Sequence, residues 1–220
     1  GMLCSAEELG LADKASGLQI LDDSIPIGQD IRTALGLDDT LIEIEVTPNR
    51  RDALSVLGVA RELSAGLGLA LKNPEPRSRE LDMTNPITVI NEAPDACPRY
   101  IARLIRDIRV APSPAWMAQR LERCGIRSIN NIVDITNYVL LELGQPLHAF
   151  DAGKMKGRQI RIRRAQAGET LRTLEGKTAT LQEGMLVIAD ETRPAALAGI
   201  MGGEESAISE GTQELILESA

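Results

Sequence analysis

One run constrains this chain more than any other. Between Arg127 and Asp151 it joins a helical pattern to a sharp stop and then to the only histidine, His148. From Asn130 to Leu143 the apolar residues Ile132, Val133, Ile135, Val139, Leu140 and Leu143 recur at three- and four-residue steps, which predicts a helix with one buried face. Asn130 or Asn131 is placed to cap its start, and Gly144 with Pro146 stops it. Asn137 falls mid-helix, where asparagine is a weak helix former. A polar side chain inside an apolar helix, followed by a turn that delivers the sole His and the sole Phe, Phe150, suggests the wall of a site.

Bulk properties narrow the class. The 220 residues suffice for one large or two small domains, and 43% hydrophobic content is enough for real cores. No apolar run approaches the ~18 residues of a membrane span. Cys4, Cys97 and Cys124 are odd in number and lack C-x-x-C spacing, so they read as reduced thiols rather than a zinc site or disulfide framework. A net charge of −8 argues against a dedicated nucleic-acid binder. The charge is uneven, however. Residues 1–98 hold most of the acid excess, and seven arginines between Arg99 and Arg127 face only Asp107 and Glu122. Any contact with a phosphate backbone belongs to the second half, although solvated faces explain the same charges.

Along the chain, Ser5 with Glu7 and Glu8 predicts a short capped turn. Residues 18–21 and the alternating Leu41–Val46 predict strands. Asp52 is placed to cap a helix from Ala53 to about Gly66, with Leu54, Leu57, Val59, Ala60 and Leu63 on its apolar face. Thr47–Asp52 reads as the start of that helix or as a binding turn. The Pro-rich stretch 72–86 is the best linker candidate. Beyond it, strands are predicted at 87–90, 100–110, 160–163, 185–189, 195–201 and 214–217, with a hairpin around Glu175-Gly176. A helix follows Ser113-Pro114 and runs to about Cys124, with Trp116, Met117, Leu121 and Cys124 as its buried side and Gly125 as its stop. The fold class is α+β.

Familiar catalytic patterns are missing: there is no G-x-S-x-G, H-E-x-x-H or G-x-x-x-x-G-K, and no metal site is signalled. In G-I-M-G-G, at 199–203, Gly202 and Gly203 allow positive φ and close approach of a ligand, or make a plain turn. Glu218 alternates with Ile216. It therefore shares the face of a core residue, where a carboxylate needs a partner, or it is exposed at the strand end. His148 is a site residue or a hydrogen-bonded structural histidine.

Longer matches carry a resemblance. The run from Ile126 to Asp151, T-P-N-R-R-D-A-L-S-V-L-G-V-A-R-E at 47–62, G-I-M-G-G-E at 199–204 and E-L-I-L-E-S-A at 214–220 together resemble the bacterial phenylalanyl-tRNA synthetase β-subunit family, in the part holding its editing domain. The resemblance implies a partial OB-fold-like tail of a tRNA-binding-type domain at 1–46, a small helical segment at 47–77, and a mixed-sheet editing domain at 78–220. It implies hydrolysis of tyrosine mischarged onto phenylalanine tRNA. Catalytic positions would be His148, Arg127 and Asn137. Substrate-binding positions would be Glu218, which accepts the tyrosine hydroxyl, and Gly199, Gly202 and Gly203. The family pocket also uses residues C-terminal to this glutamate, so the editing domain is expected to be truncated here. Implied partners are phenylalanine tRNA and an α subunit in an (αβ)2 heterotetramer in the cytoplasm, with no DNA and no membrane. No cofactor is expected in this chain, while ATP and magnesium are expected in the parent enzyme. The alternative is a non-catalytic module that braces tRNA or the partner subunit.

Overall fold

Strands form where the apolar runs of the second half find partners. In the computed structural model, which describes residues 2–75 and 86–220, they build the sheets that hold the site. The described residues divide into two compact units, within Gly1–Ile42 and within Glu43–Ala220.

The first unit contains α1 (Ile31–Ala34), capped by the Asp30 carboxylate. Ser5 and Glu8 close the reciprocal bonds of a capping box, as their spacing predicts. The strands expected at 18–21 and 41–46 are not formed, and Ile20, Leu41 and Ile42 stand exposed. Local alternation makes a strand only when a ladder is offered, and none is offered to these segments among the described residues.

The second unit begins with a tight 3-10 turn at Arg51–Ala53 and then α2 (Val56–Leu67). The helix starts later than expected. Its cap is Ser55, whose hydroxyl accepts the Gly58 N–H at 3.0 Å, and Gly68 closes it at φ 66°. Asp52 pairs with Arg50 instead, which also reaches Glu62. Leu54 and Leu63, expected on the buried side, are exposed. The linker candidate 72–86 lies largely outside the described residues.

Next come β1 (Thr88–Asn91), β2 (Ile101–Ile105), α3 (Ala115–Arg123), α4 (Asn131–Leu143) and β3 (His148–Asp151). They are followed by β4 (Gln159–Arg164), the hairpin β5 (Thr170–Arg172) and β6 (Thr178–Thr180), β7 (Leu186–Ala189), β8 (Pro194–Leu197), β9 (Met201–Gly202) and β10 (Leu215–Ser219). One sheet has the order β1-β4-β7-β8-β9, with only the β1–β4 pair parallel; a second, antiparallel, has the order β2-β10-β3. Phe150 and Ile216 of the small sheet pack with Ile160, Ile162, Ile188 and Ala196 of the large one, so the main core lies between the two. The opposite face of the small sheet, with Ala149, Leu215 and Leu217, packs on Ile132 of α4.

Helix α4 has the predicted bounds. The Asn130 side chain accepts the N–H groups of Ile132 and Val133, and Gly144 ends the helix at φ 80°. Asn131 does not cap; it binds the backbone of Arg109 and Ala111. The buried side differs from the apolar stripe. It carries Ile132, Asp134 and Thr136, while Ile135, Leu140 and Leu143 are exposed. Asp134 is fully buried and accepts the hydroxyls of Ser113 and Ser128 and the Ile129 N–H. Burial alone would push its pKa up, but these three donors hold it below the usual carboxylate value.

Ser113 therefore does not cap α3, whose N-cap is Pro114 with no side-chain bond. Met117 and Leu121 are buried, but Trp116 and Cys124 are exposed. Trp116 meets Tyr138 edge-on at 5.4 Å, and Arg120 lies over the indole while donating to the Tyr138 hydroxyl. This corner ties α3 to α4. No helix among the described residues is long and apolar enough to cross a membrane.

Candidate functional site

Strand register decides which side chains meet. On β10, Glu218 stands opposite His148 of β3 and Ala102 of β2; two residues earlier, Ile216 stands opposite Phe150 and Leu104. Directly opposed residues share a face, and so do residues two apart. Glu218, His148, Ile216 and Phe150 therefore all point to the face that packs on the large sheet. Glu218 does share the face of a core residue, as its alternation with Ile216 predicts.

The His148 ring is wedged. It lies edge-on to Phe150 at 4.6 Å between centroids. A Cβ placed on Gly202 would come within 2.6 Å of His148 Cε1 and 3.0 Å of Nε2. Only glycine at 202 leaves room for the imidazole. Burial lowers the histidine's pKa, so the ring is neutral at neutral pH. Its Nε2 is buried with no hydrogen-bond partner.

Burial raises Glu218 to about 7, and the nearby Tyr100 phenol pulls it partly back. That phenol is in turn pushed far up, first by burial and then by the Glu218 charge. The two groups are electrostatic neighbours, yet the Tyr100 oxygen closes no well-aligned hydrogen bond. The Cys97 thiol, also raised by burial, feels the same carboxylate. A half-charged carboxyl, a neutral imidazole and a phenol thus meet on an apolar face. Such a set can read a polar group on an otherwise apolar ligand.

The glycines divide. Gly199 takes φ 68° in an exposed turn with open space around it. Gly202 and Gly203 do not take positive φ, contrary to the reason their pairing suggests. Their value is the missing side chain: at Gly203 a Cβ would strike the Ala195 carbonyl oxygen at 2.5 Å. Gly203 is thus a packing contact with β8, whereas Gly202 faces the histidine.

Arg127 and Asn137 are not drawn in by polar contacts. Arg127 is exposed in the loop between α3 and α4, and Asn137 is half-buried on α4. Neither bonds to His148 or Glu218, and α4 packs on the far face of the small sheet. Sequence reasoning missed Tyr100, which sits just before β2 and meets Glu218 only through the β2–β10 register.

A separate cavity of about 340 Å3 is lined by Lys154, Arg172, Asp190, Arg193 and Gly203 among others. Its cations are already engaged: Lys154 with the Ala207 carbonyl, Arg172 with Glu204, and Arg193 with Glu205. Its chemistry is weaker than that of the Glu218–His148 face.

The chain is similar to known proteins along its whole length. Residues 96–220 match the family described as B3/4 domain. The whole chain is 54% identical over 222 residues to a phenylalanine–tRNA ligase β subunit of Anaeromyxobacter dehalogenans and 52% identical to one of Neisseria meningitidis. It spans 28% of the length of each of these relatives. A crystal structure of an N-terminal fragment of the phenylalanyl-tRNA synthetase β subunit from Pyrococcus horikoshii aligns with a TM-score of 0.46 at 16% identity, over 78% of this chain and 52% of that one.

Proposed function

The chain belongs to the B3/4 domain family, and on that premise we propose that it is the part of a phenylalanyl-tRNA synthetase β subunit that hydrolyses tyrosine wrongly esterified to phenylalanine tRNA. The observation that carries this reading is Glu218. It is a partly buried carboxyl on an apolar face, in register with the chain's only histidine. Tyrosine differs from phenylalanine by one hydroxyl. An apolar synthetic pocket rejects an added hydroxyl only ~10²-fold. A second site can instead demand the hydroxyl: an ionised carboxylate accepts a phenol O–H in a bond worth about 1.5–3 kcal/mol.

The ester is already activated, so hydrolysis needs a positioned water and a donor to the developing oxyanion. A neutral His148 can orient that water or a ribose hydroxyl without acting as a nucleophile. Arg127, being exposed, suits a phosphate contact, and Asn137 a contact away from the phenol.

On this reading residues 1–46 are the end of an OB-fold tRNA-binding-type domain, 47–77 a helical segment and 78–220 the editing domain. The parent enzyme is a cytoplasmic (αβ)2 ligase that uses ATP and magnesium, with phenylalanine tRNA as substrate. The rival reading, a module that only braces tRNA or the α subunit, makes no use of the Glu218–His148 face. His148→Ala in the full-length β subunit assembled with α tests the choice. The expected result is slower deacylation of tyrosyl-tRNA with phenylalanine charging intact. Equal loss of both activities would make His148 structural and overturn the assignment.

A further inference from the structure

Tyr100 directly precedes β2. The pairs Glu218–Ala102 and Ser219–Ile101 extend by one step to place Tyr100 opposite Ala220, on the same face as Ala102 and Glu218. Its ring packs against the main core. Its oxygen is buried within reach of the Glu218 carboxyl but closes no well-aligned hydrogen bond to it, and His148 Nε2 across the strand has no partner. Buried polar atoms are nearly always well paired, so an unpartnered imidazole nitrogen and a poorly aligned phenol around one carboxylate mark a place where a ligand completes the bonding.

The chemistry of the three groups specifies that ligand atom. An ionised carboxylate only accepts, and a phenol beside it is available to donate. A hydroxyl is the small group that donates and accepts at a single oxygen. Placed between the two, it closes a chain in which the Tyr100 O–H donates to the ligand oxygen and the ligand O–H donates to Glu218. An ether oxygen satisfies Tyr100 alone, and an aromatic amine, which donates but accepts poorly, satisfies Glu218 alone.

We infer that Tyr100 is a specificity-determining residue, a second reader of the ligand's phenolic oxygen acting jointly with Glu218. The inference rests on the tyrosine-editing reading and adds a residue and a ligand class to it: side chains ending in a para-hydroxyl, in preference to para-methoxy or para-amino ones.

The test uses the full-length enzyme with Tyr100→Phe, which removes one oxygen and keeps the ring. Single-turnover deacylation is measured for tRNA carrying tyrosine, phenylalanine and O-methyltyrosine. The expected result is a tyrosine rate lowered about tenfold, the usual worth of one hydrogen bond, with the phenylalanine rate unchanged. A second readout is the Glu218 titration midpoint, followed by carboxyl-labelled NMR; Tyr100, Cys97 and His148 are the titratable groups around it. The midpoint rises in Tyr100→Phe, because the phenol favours the carboxylate. If the wild type prefers tyrosine and the variant keeps the same ratio, or loses both rates equally, Tyr100 does not read the hydroxyl. An unmoved midpoint overturns the coupling. If the wild type shows no preference for tyrosine, the editing reading fails and takes the inference with it.

Discussion

Gly202 and His148 are in a contact that permits no side chain: a methyl group at 202 would lie 2.6 Å from the imidazole Cε1. Phe150 also meets the ring, edge-on at 4.6 Å between centroids. Leu174 closes the same space, 3.1 Å from the virtual Cβ. The position of His148 is thus set by an atom that is missing from its neighbour.

Gly202→Ala should displace the imidazole. Overpacking of this kind costs typically 1–3 kcal/mol. Tyrosyl-tRNA deacylation by the full-length enzyme is expected to fall at least about tenfold, since a misplacement of about 1 Å is enough for that. Gly199→Ala is the control. It strains a backbone at φ 68° but touches no neighbour, so His148 stays in place. Equal losses of deacylation in the two variants would show that the 202 contact does not position the histidine.

Asp134→Ala should be among the most destabilising single changes in the second unit. It leaves the Ser113 and Ser128 hydroxyls and the Ile129 N–H without their acceptor, a loss of about 2–4 kcal/mol at pH 7. The folded pKa is held below the unfolded value of 3.8, so this stabilisation is present above that value and is lost as pH falls below it. Thermal unfolding at pH 7 and near pH 3 should show a large gap between wild type and variant that narrows in acid. A gap that does not change with pH would mean the carboxylate charge is not what the three donors recognise.

Part of what the residues announce locally is present in the structure, while the caps expected at Asp52 and Ser113 are not. Asn130 and Gly144 bound α4 because caps are decided within a few residues. Glu218 could be placed on the core face from Ile216 because strand alternation is also local. What depends on distant partners was hidden. The buried Asp134 reads as a gap in an apolar stripe until Ser113, 21 residues away, is brought against it. Tyr100 joins Glu218 only through a register spanning more than half the chain. Leu41–Val46 has the pattern of a strand but no ladder to join among the described residues, and Trp116 faces Tyr138 at the surface rather than the core.

Glu218→Gln should raise stability on the alkaline side. The folded pKa of about 7 lies above the ordinary 4.5, so the protonated form is the one the fold favours. The contribution is intact below pH 4.5 and is lost as pH rises through about 7. The difference amounts to roughly 3 kcal/mol above that pH, as an upper figure. Glutamine stays neutral throughout. Melting temperatures of wild type and variant should coincide near pH 4.5 and separate above pH 7, with the variant higher. A constant offset at all pH values would show that Glu218 titrates normally.

The same titration makes selectivity depend on pH. Below pH 7 Glu218 is mostly protonated. A phenol then meets a neutral carboxyl, in a bond worth about 0.5–1.5 kcal/mol, and phenylalanine leaves behind only an uncharged group. Above pH 7 the carboxylate is ionised. The bond to the tyrosine hydroxyl strengthens to about 1.5–3 kcal/mol, and phenylalanine must cover a charge that has no partner. Both changes favour tyrosine. The ratio of tyrosyl-tRNA to phenylalanyl-tRNA deacylation, corrected for spontaneous ester hydrolysis, should therefore climb about tenfold between pH 6 and pH 8.5, a gain of ~1.4 kcal/mol. In Glu218→Gln the ratio should be flat and intermediate, because the amide keeps a hydrogen bond but never carries charge. In Glu218→Ala it should be flat and lowest. A wild-type ratio that is flat across this range would place the reading of the hydroxyl on some group other than the Glu218 carboxyl.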